Sequence, residues 1–195
     1  LPLMFDDELD INIDIPTKMY ISYIGTANPD HSFDEFINYI LFAIENNSFP
    51  DYKFLIASKS NLNYLFENVE LKKSIDNGKI VLWHNKFMTN KEINKHYLDS
   101  AIVWNAYSRT TQSGVLPKAY MFGCAVLTLE KNRNEFVINN KTGIYLKSNS
   151  DSLEITTAIN EILIKKEYFK INCRIFFTNI FFYKSMIQKF HLIIK

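Results

Sequence analysis

"AIVWNAYSRTTQSGVLPKAYMFGCAVLTL", residues 101–129, carries the reading on which the fold depends. "AIVWNAY" (101–107) is an apolar run that reads as a strand. Ser108 to Ser113 form a polar loop that breaks at Gly114. A short apolar helix-like segment follows, Gly123 closes it, and Ala125–Leu129 reads as another strand. Strands of near-continuous apolar character, each followed by a helix, imply a parallel sheet covered on both faces.

The same alternation extends in both directions. "KMYISYIG" (18–25) reads as a strand ending at Gly25. "SFDEFINYILFAIENN" (32–47) reads as a helix, with Ser32 and Glu35 as a capping box. Its residues Phe33, Phe36, Ile37, Ile40, Leu41 and Ile44 share one face. "YKFLIAS" (52–58) is a strand, "NLNYLFENVELKKSIDN" (61–77) a helix stopped by Gly78, and "KIVLWH" (79–84) a strand. "TNKEINKHYLDS" (89–100) is a helix with a second capping box, Thr89 and Glu92. A short helix is expected near Glu135–Ile138, a strand at "TGIYL" (142–146), and a helix at "SLEITTAINEILI" (152–164). The pattern predicts an α/β fold: a Rossmann-like, doubly wound parallel sheet with helices on both faces. Ligands in such sheets sit beyond the carboxyl ends of the strands. The informative loops are therefore Gly25 to His31, His84 to Met88, Tyr107 to Gly114, and Glu130 to Glu135.

Two flanks stand outside this alternation. Residues 1–17, "LPLMFDDELDINIDIPT", carry several acids and no clear period, and read as a leader or linker cut from a longer chain. Residues 18–168 form the expected Rossmann-like domain. Residues 169–195 read as a very aromatic helical extension, including Phe176, Phe177, Phe181, Phe182 and Tyr183. Its apolar residues go nearly all round, so some surface must bury them.

Composition narrows the function classes. The 195 residues are 47% hydrophobic and 22% charged, enough for a packed core. With 22 basic and 21 acidic side chains the net charge is +1, which gives no general drive toward nucleic acid or anionic membrane. Any anion site must be local. Two cysteines far apart, Cys124 and Cys173, make neither a disulfide framework nor a metal site, and Cys124 reads as a buried thiol. No signal peptide and no spanning apolar stretch is visible, so a cytoplasmic location is expected.

The turn Gln112-Ser113-Gly114-Val115 is a candidate anion site. The first amides of a helix lack internal partners and point outward. Gly114 has no Cβ to hold a ligand away. Ser113 can cap the helix or donate to a phosphate oxygen, Pro117 suits a first turn, and Lys118 and Arg109 are the nearby cations. A structural reading of the same residues is a plain helix cap with a close-packed glycine.

Residues 90–146 resemble the C-terminal, donor-binding half of GT-B glycosyltransferases of the family-four type. Glu92-Ile93 to Tyr97-Leu98-Asp99-Ser100 matches a family helix. Gly123 and the strand Cys124-Ala125-Val126-Leu127 follow in order, then the loop glutamate Glu135 and the turn Asn139-Asn140-Lys141-Thr142-Gly143. A subset of that family shows "QSGV-(I/L)-P-x-A-Y-x-F-G", matched here from Gln112 to Gly123. The usual pair of family glutamates falls on Thr110 and Lys118, and the usual Arg and Lys after the first strand fall on Thr26 and about His31.

The resemblance implies a nucleotide-diphosphate sugar as substrate, retention at the anomeric carbon, and no metal or other cofactor. It implies donor contacts at Gly25, Thr26, His84, Tyr107, Arg109, Gln112, Ser113, Gly114, Val115, Lys118, Asn132 and Glu135. It also implies an N-terminal domain of the same polypeptide, onto which residues 169–195 would pack. Peripheral membrane contact through that segment is the alternative. No catalytic residue is evident. The competing class is a degenerate, non-catalytic nucleotide-binding or interaction module. An NAD-type enzyme is disfavoured, because "GTANPDHS" (25–32) is not a glycine-rich dinucleotide fingerprint.

Overall fold

The computed structural model of the chain describes residues 3–9, 17–109, 113–147, 150–185 and 187. Six strands form one sheet: β1 (Tyr20–Ile24), β2 (Lys53–Ala57), β3 (Ile80–Trp83), β4 (Ser100–Trp104), β5 (Ala125–Leu129) and β6 (Gly143–Leu146). Their order is β3-β2-β1-β4-β5-β6 and every pairing is parallel. The chain winds outward from β1 to β3, returns to the centre at β4, and winds outward the other way. Strand order reverses between β1 and β4, and a crevice must open there because the two connections leave on opposite sides.

Strand side chains alternate between two apolar layers, as the pleat requires. Ile21, Tyr23, Phe54, Ile56, Ile102, Trp104, Ala125 and Leu127 enter one layer with α1 (Phe33–Glu45), α2 (Val69–Asp76) and α5 (Ser152–Ile164). Ile24, Leu55, Ala57, Val103 and Val126 enter the other. That layer is closed by α3 (Asn90–Asp99), α4 (Val115–Met121) and α6 (Lys166–Phe176). Both faces are covered, as the near-continuous apolar strands require. Cys124 is buried and reduced, with its thiol 3.0 Å from the Tyr97 carbonyl.

Four local readings are corrected. Ser32 makes no side-chain cap to α1 and sits at φ 51°. Pro29–His31 form a 3-10 turn whose cap is Asn28, and Ser32 is the left-handed residue that turns the chain into α1. The single helix expected over 61–77 is a 3-10 turn, Asn63–Glu67, followed by α2. Asn68 divides them, because its carboxamide oxygen accepts from the Glu70 and Leu71 amides, both at 3.0 Å. No helix forms at Glu135–Ile138; the 3-10 turn lies earlier, at Glu130–Asn132. There the Asn134 side-chain oxygen accepts from the Phe136 amide, and the Tyr145 hydroxyl donates toward the carbonyls of Asn134 and Val137. The strand read over 101–107 ends at Trp104. The second capping box is present, with Thr89 and Glu92 each accepting the other's amide.

The C-terminal segment continues from α5 through Lys165 into α6, then into a π-helical turn, Phe177–Phe181. Phe169, Cys173, Phe177 and Phe181 are buried within this domain. Residues 3–9 lie beside the turn. The Phe5 amide donates to the Phe181 carbonyl at 2.8 Å, and the Tyr183 amide donates to the Phe5 carbonyl at 3.1 Å. Arg174 grips Asp7 through both carboxylate oxygens. Part of the face at Phe176 to Tyr183 packs onto α4 and residues 3–9. The apolar residues of α6 left outward are Tyr168, Ile171 and Ile175. No helix among the described residues is long and apolar enough to cross a membrane.

Candidate functional site

A cleft of about 420 Å³ opens at the carboxyl edge of the sheet, at the crossing between β1 and β4. Its floor is Ile24, Gly25 and Thr26, where β1 ends. One wall is Ser113, Gly114, Val115 and Lys118, where α4 begins. The other is Phe87 and Met88 with Ile93 and Tyr97 of α3. Lys59, after β2, and Phe5 complete it. Five separate segments thus converge where the strand order reverses.

Gly25 holds φ 149°, a backbone that side chains rarely adopt, so β1 can turn sharply into the cleft floor only with glycine there. Gly114 is different. Its φ is −65°, and a Cβ built on it would meet only Phe5 Cζ at an ordinary 3.6 Å. Neither strain nor crowding demands glycine at 114. What its bare backbone provides is access from the cleft.

The loops after β1 and β4 are tied together. The Thr26 carbonyl accepts from the Tyr23 hydroxyl at 2.6 Å and from the His31 Nδ1 at 2.9 Å. The His31 ring stacks on Tyr107. Tyr107 in turn hydrogen-bonds Ser113, while burial pushes its hydroxyl up to about 12. Ser113 Oγ accepts the Val115 amide at 3.2 Å. The amide and hydroxyl of Ser108 both reach the Asp30 carbonyl. The lip of the cleft is therefore one hydrogen-bonded unit. One of the α4 amides is spent on Ser113, and α4 is only 7 residues long. The corner's attraction for an anion thus rests on local amides and lysines more than on a long helix axis.

Among the lining residues are two lysines, and no carboxylate or imidazole. Lys118 is 15% exposed at its side chain and donates to Glu8 at 2.6 Å and to Asn94 Oδ1 at 2.9 Å. Asn94 Nδ2 donates to the other Glu8 oxygen at 2.7 Å. These bonds hold the Glu8 carboxyl below its ordinary value, against the larger opposing push of burial.

Of the sequence candidates, Gly25, Thr26, Ser113, Gly114, Val115 and Lys118 line this cleft, and Tyr107 stands directly behind it. Arg109 points outward and faces Asp30 at 3.7 Å. His84 receives the Leu62 amide on Nδ1 at 3.3 Å and lies outside the lining. Asn132 donates to the Tyr107 carbonyl from its side chain. Glu135 is exposed in the turn after Asn134. Gln112 and Thr110 lie outside the described residues. Sequence reasoning did not single out Phe5, Glu8, Lys59 or Phe87. Phe87 is 88% exposed at the rim, which is a readable signal only once its neighbours are known. Among the described residues no three His, Cys, Asp or Glu gather as a metal site.

Neither a family model nor a curated protein sequence matches the chain. Solved structures do match its fold. One is the C-terminal domain of a glycosyl transferase group 1 family protein, LpcC, from Francisella tularensis. The TM-score is 0.67 at 18% identity, over 86% of this chain and 88% of that one. TarM of S. aureus matches with a TM-score of 0.71 at 14% identity, over 96% of this chain and 37% of TarM. The pneumococcal O-GlcNAc transferase GtfA, solved with UDP and GlcNAc, matches with a TM-score of 0.68 at 15% identity, over 98% of this chain and 37% of GtfA. The chain has the fold of the C-terminal domain of GT-B glycosyltransferases, and spans little more than a third of TarM or GtfA.

Proposed function

We propose that the chain is the donor-binding half of a glycosyltransferase, holding a nucleotide-diphosphate sugar for transfer to a glycan or lipid-linked acceptor. One observation carries this reading. The cleft that the topology opens between β1 and β4 is lined by Gly25, bare backbone at Gly114 and the lysines Lys59 and Lys118, with no acidic side chain in its lining. That is a local anion site on a chain of net charge +1. Its fold is shared with a transferase solved with UDP.

The chemistry follows from charge. Cleaving the bond between sugar and diphosphate leaves negative charge on the diphosphate. Amides at the start of α4 and the two ammonium groups stabilise that charge where it develops. The lining holds no carboxylate or imidazole, and on this reading the acceptor and a further catalytic group come from an N-terminal domain of the same polypeptide. The outward stripe Tyr168, Ile171 and Ile175 gives that domain an apolar surface to meet. Contact of this stripe with a membrane is the other use, placing the protein at the inner face of a bacterial membrane. Retention at the anomeric carbon follows from the resemblance. Abundant Asn, Lys and Ile fit an AT-rich bacterial genome, with surface polysaccharide synthesis as the pathway.

A second reading has its own observation: Lys118 is already paired with Glu8, and Arg109 faces Asp30. A degenerate module that has lost donor binding would look the same. Calorimetric titration with UDP, GDP and their sugars separates the two. Saturable binding of one nucleotide supports the donor half, and no binding at millimolar concentration supports the degenerate module. The isolated chain is expected to show no sugar transfer, and turnover on any acceptor would overturn that part. Liposome flotation with and without residues 169–195 decides between membrane and domain contact.

A further inference from the structure

Residues 3–9 have no helix or strand of their own, yet they are held by seven partner residues. Phe5 bonds the backbone of Phe181 and Tyr183. Asp7 takes the Arg174 guanidinium through two bonds, at 2.8 and 3.1 Å. The Glu8 amide meets Met121 Sδ at 3.4 Å. Glu8 then delivers its carboxylate to Lys118 and Asn94, and the Phe5 ring stands over Gly114. These partners belong to α3, to α4 and its cap Gly114, or to the segment from α6 to Tyr183, and the last two contacts lie at the cleft itself.

Lys118 has two acceptors, and only one is charged. An anionic ligand entering between Gly114 and Lys59 would offer that ammonium the same chemistry as Glu8: two oxygens sharing negative charge within hydrogen-bond reach. The ammonium has a third N–H to offer, but two anions held against one cation repel each other, so the ligand competes with Glu8 for its charge. The cost of exchange is small, because the Glu8 side chain is 34% exposed and water can receive its carboxylate.

Resting on the donor-binding reading, we propose that Glu8 is an internal stand-in for a ligand's diphosphate, and that diphosphate binding takes Lys118 from it and releases residues 3–9 from the cleft. The segment then reports occupancy of the cleft to whatever lies before β1. Asp7, the residue next to Glu8, is held by Arg174, so release of Glu8 also loosens the seam between residues 3–9 and the Phe177–Phe181 turn.

The test is calorimetry of the full chain and of Glu8→Gln with UDP and with uridine, joined to amide hydrogen exchange of the native protein. Removing the competing charge should tighten UDP roughly two- to fivefold, the worth of a partly exposed ion pair, and leave uridine unchanged. The Phe5 amide, protected by the Phe181 carbonyl, and the Tyr183 amide, protected by the Phe5 carbonyl, should exchange faster with saturating UDP. Equal or weaker UDP binding by Glu8→Gln overturns the stand-in while leaving the donor reading intact. Unchanged exchange at Phe5 and Tyr183 overturns release of the strap. Failure of UDP to bind either protein overturns the donor reading and the stand-in with it.

Discussion

The His31 imidazole lies against the Tyr107 ring, with centroids 4.3 Å apart and planes inclined by 19°. The contact joins the loop after β1 to the loop after β4, the two segments that bound the cleft. Tyr107 then fixes Ser113 through its hydroxyl. Tyr107→Phe keeps the stack and removes that bond. It should cost about 0.5–1.5 kcal/mol in urea unfolding and weaken nucleotide binding, because Ser113 loses its anchor. The pH dependence follows too. The native hydroxyl titrates near 12 against a reference of 10.0, so its contribution to stability is complete below pH 10 and is lost as pH rises toward 12. Tyr107→Phe should flatten that alkaline loss.

His96 gives the acid counterpart. It is buried beside Trp83, its Nε2 has no hydrogen-bond partner among the described residues, and burial lowers its pKa from 6.5. Asp99 and Glu92 push the other way and Lys95 adds to the lowering. The unfolded chain takes up this proton before the folded one does. Stability conferred by neutral His96 is therefore present above pH 6.5 and falls as pH drops below it. Unfolding titrations of His96→Gln should show a shallower decline over that range.

Lys18 ties two helix ends together at the opposite edge of the sheet. Its ammonium donates to the Ser100 carbonyl at 2.7 Å and the Phe122 carbonyl at 2.8 Å, closing α3 and α4. Cations at helix C-termini oppose the negative end of the dipole. Lys18→Met leaves those carbonyls without a charged donor and should destabilise by about 1–3 kcal/mol. Thermal unfolding measures it, and nucleotide affinity should hardly change, since Lys18 is remote from the cleft.

Gly114→Ala asks whether the bare backbone is functional. The position accepts a methyl without strain or clash, so stability should stay within about 0.5 kcal/mol. Nucleotide binding should nonetheless weaken by about 1 kcal/mol or more, as a ligand oxygen loses close approach to the amide. Parallel melting and calorimetry separate the two effects.

What could be read from the sequence was set by local physics. Near-continuous apolar runs at 20–24, 100–104 and 125–129 announce buried parallel strands, and Thr89 with Glu92 caps α3 as written. Ser32 misled because Pro29 and Asn28 build a turn that claims the entry to α1 first. Gly25, Ser113, Gly114 and Lys118 could be found because strand ends and helix starts are local features. Their surroundings could not. The Glu8 partner of Lys118 is 110 residues away, and Arg109 meets Asp30 only because β1 and β4 are neighbours. The contacts of Phe176 to Tyr183 with α4 and residues 3–9 were not legible, because those segments come from distant parts of the chain.

The central claim is that the cleft between β1 and β4 receives the nucleotide. An amide NMR titration with UDP tests it most directly. The account predicts saturable shifts centred on Gly25, Thr26 and Ser113 to Lys118, with weaker ones at Lys59 and Phe87. Shifts centred instead on the smaller cavity of Lys18, Lys166 and Lys170 at the other edge of the sheet, or no shift at millimolar UDP, would contradict it.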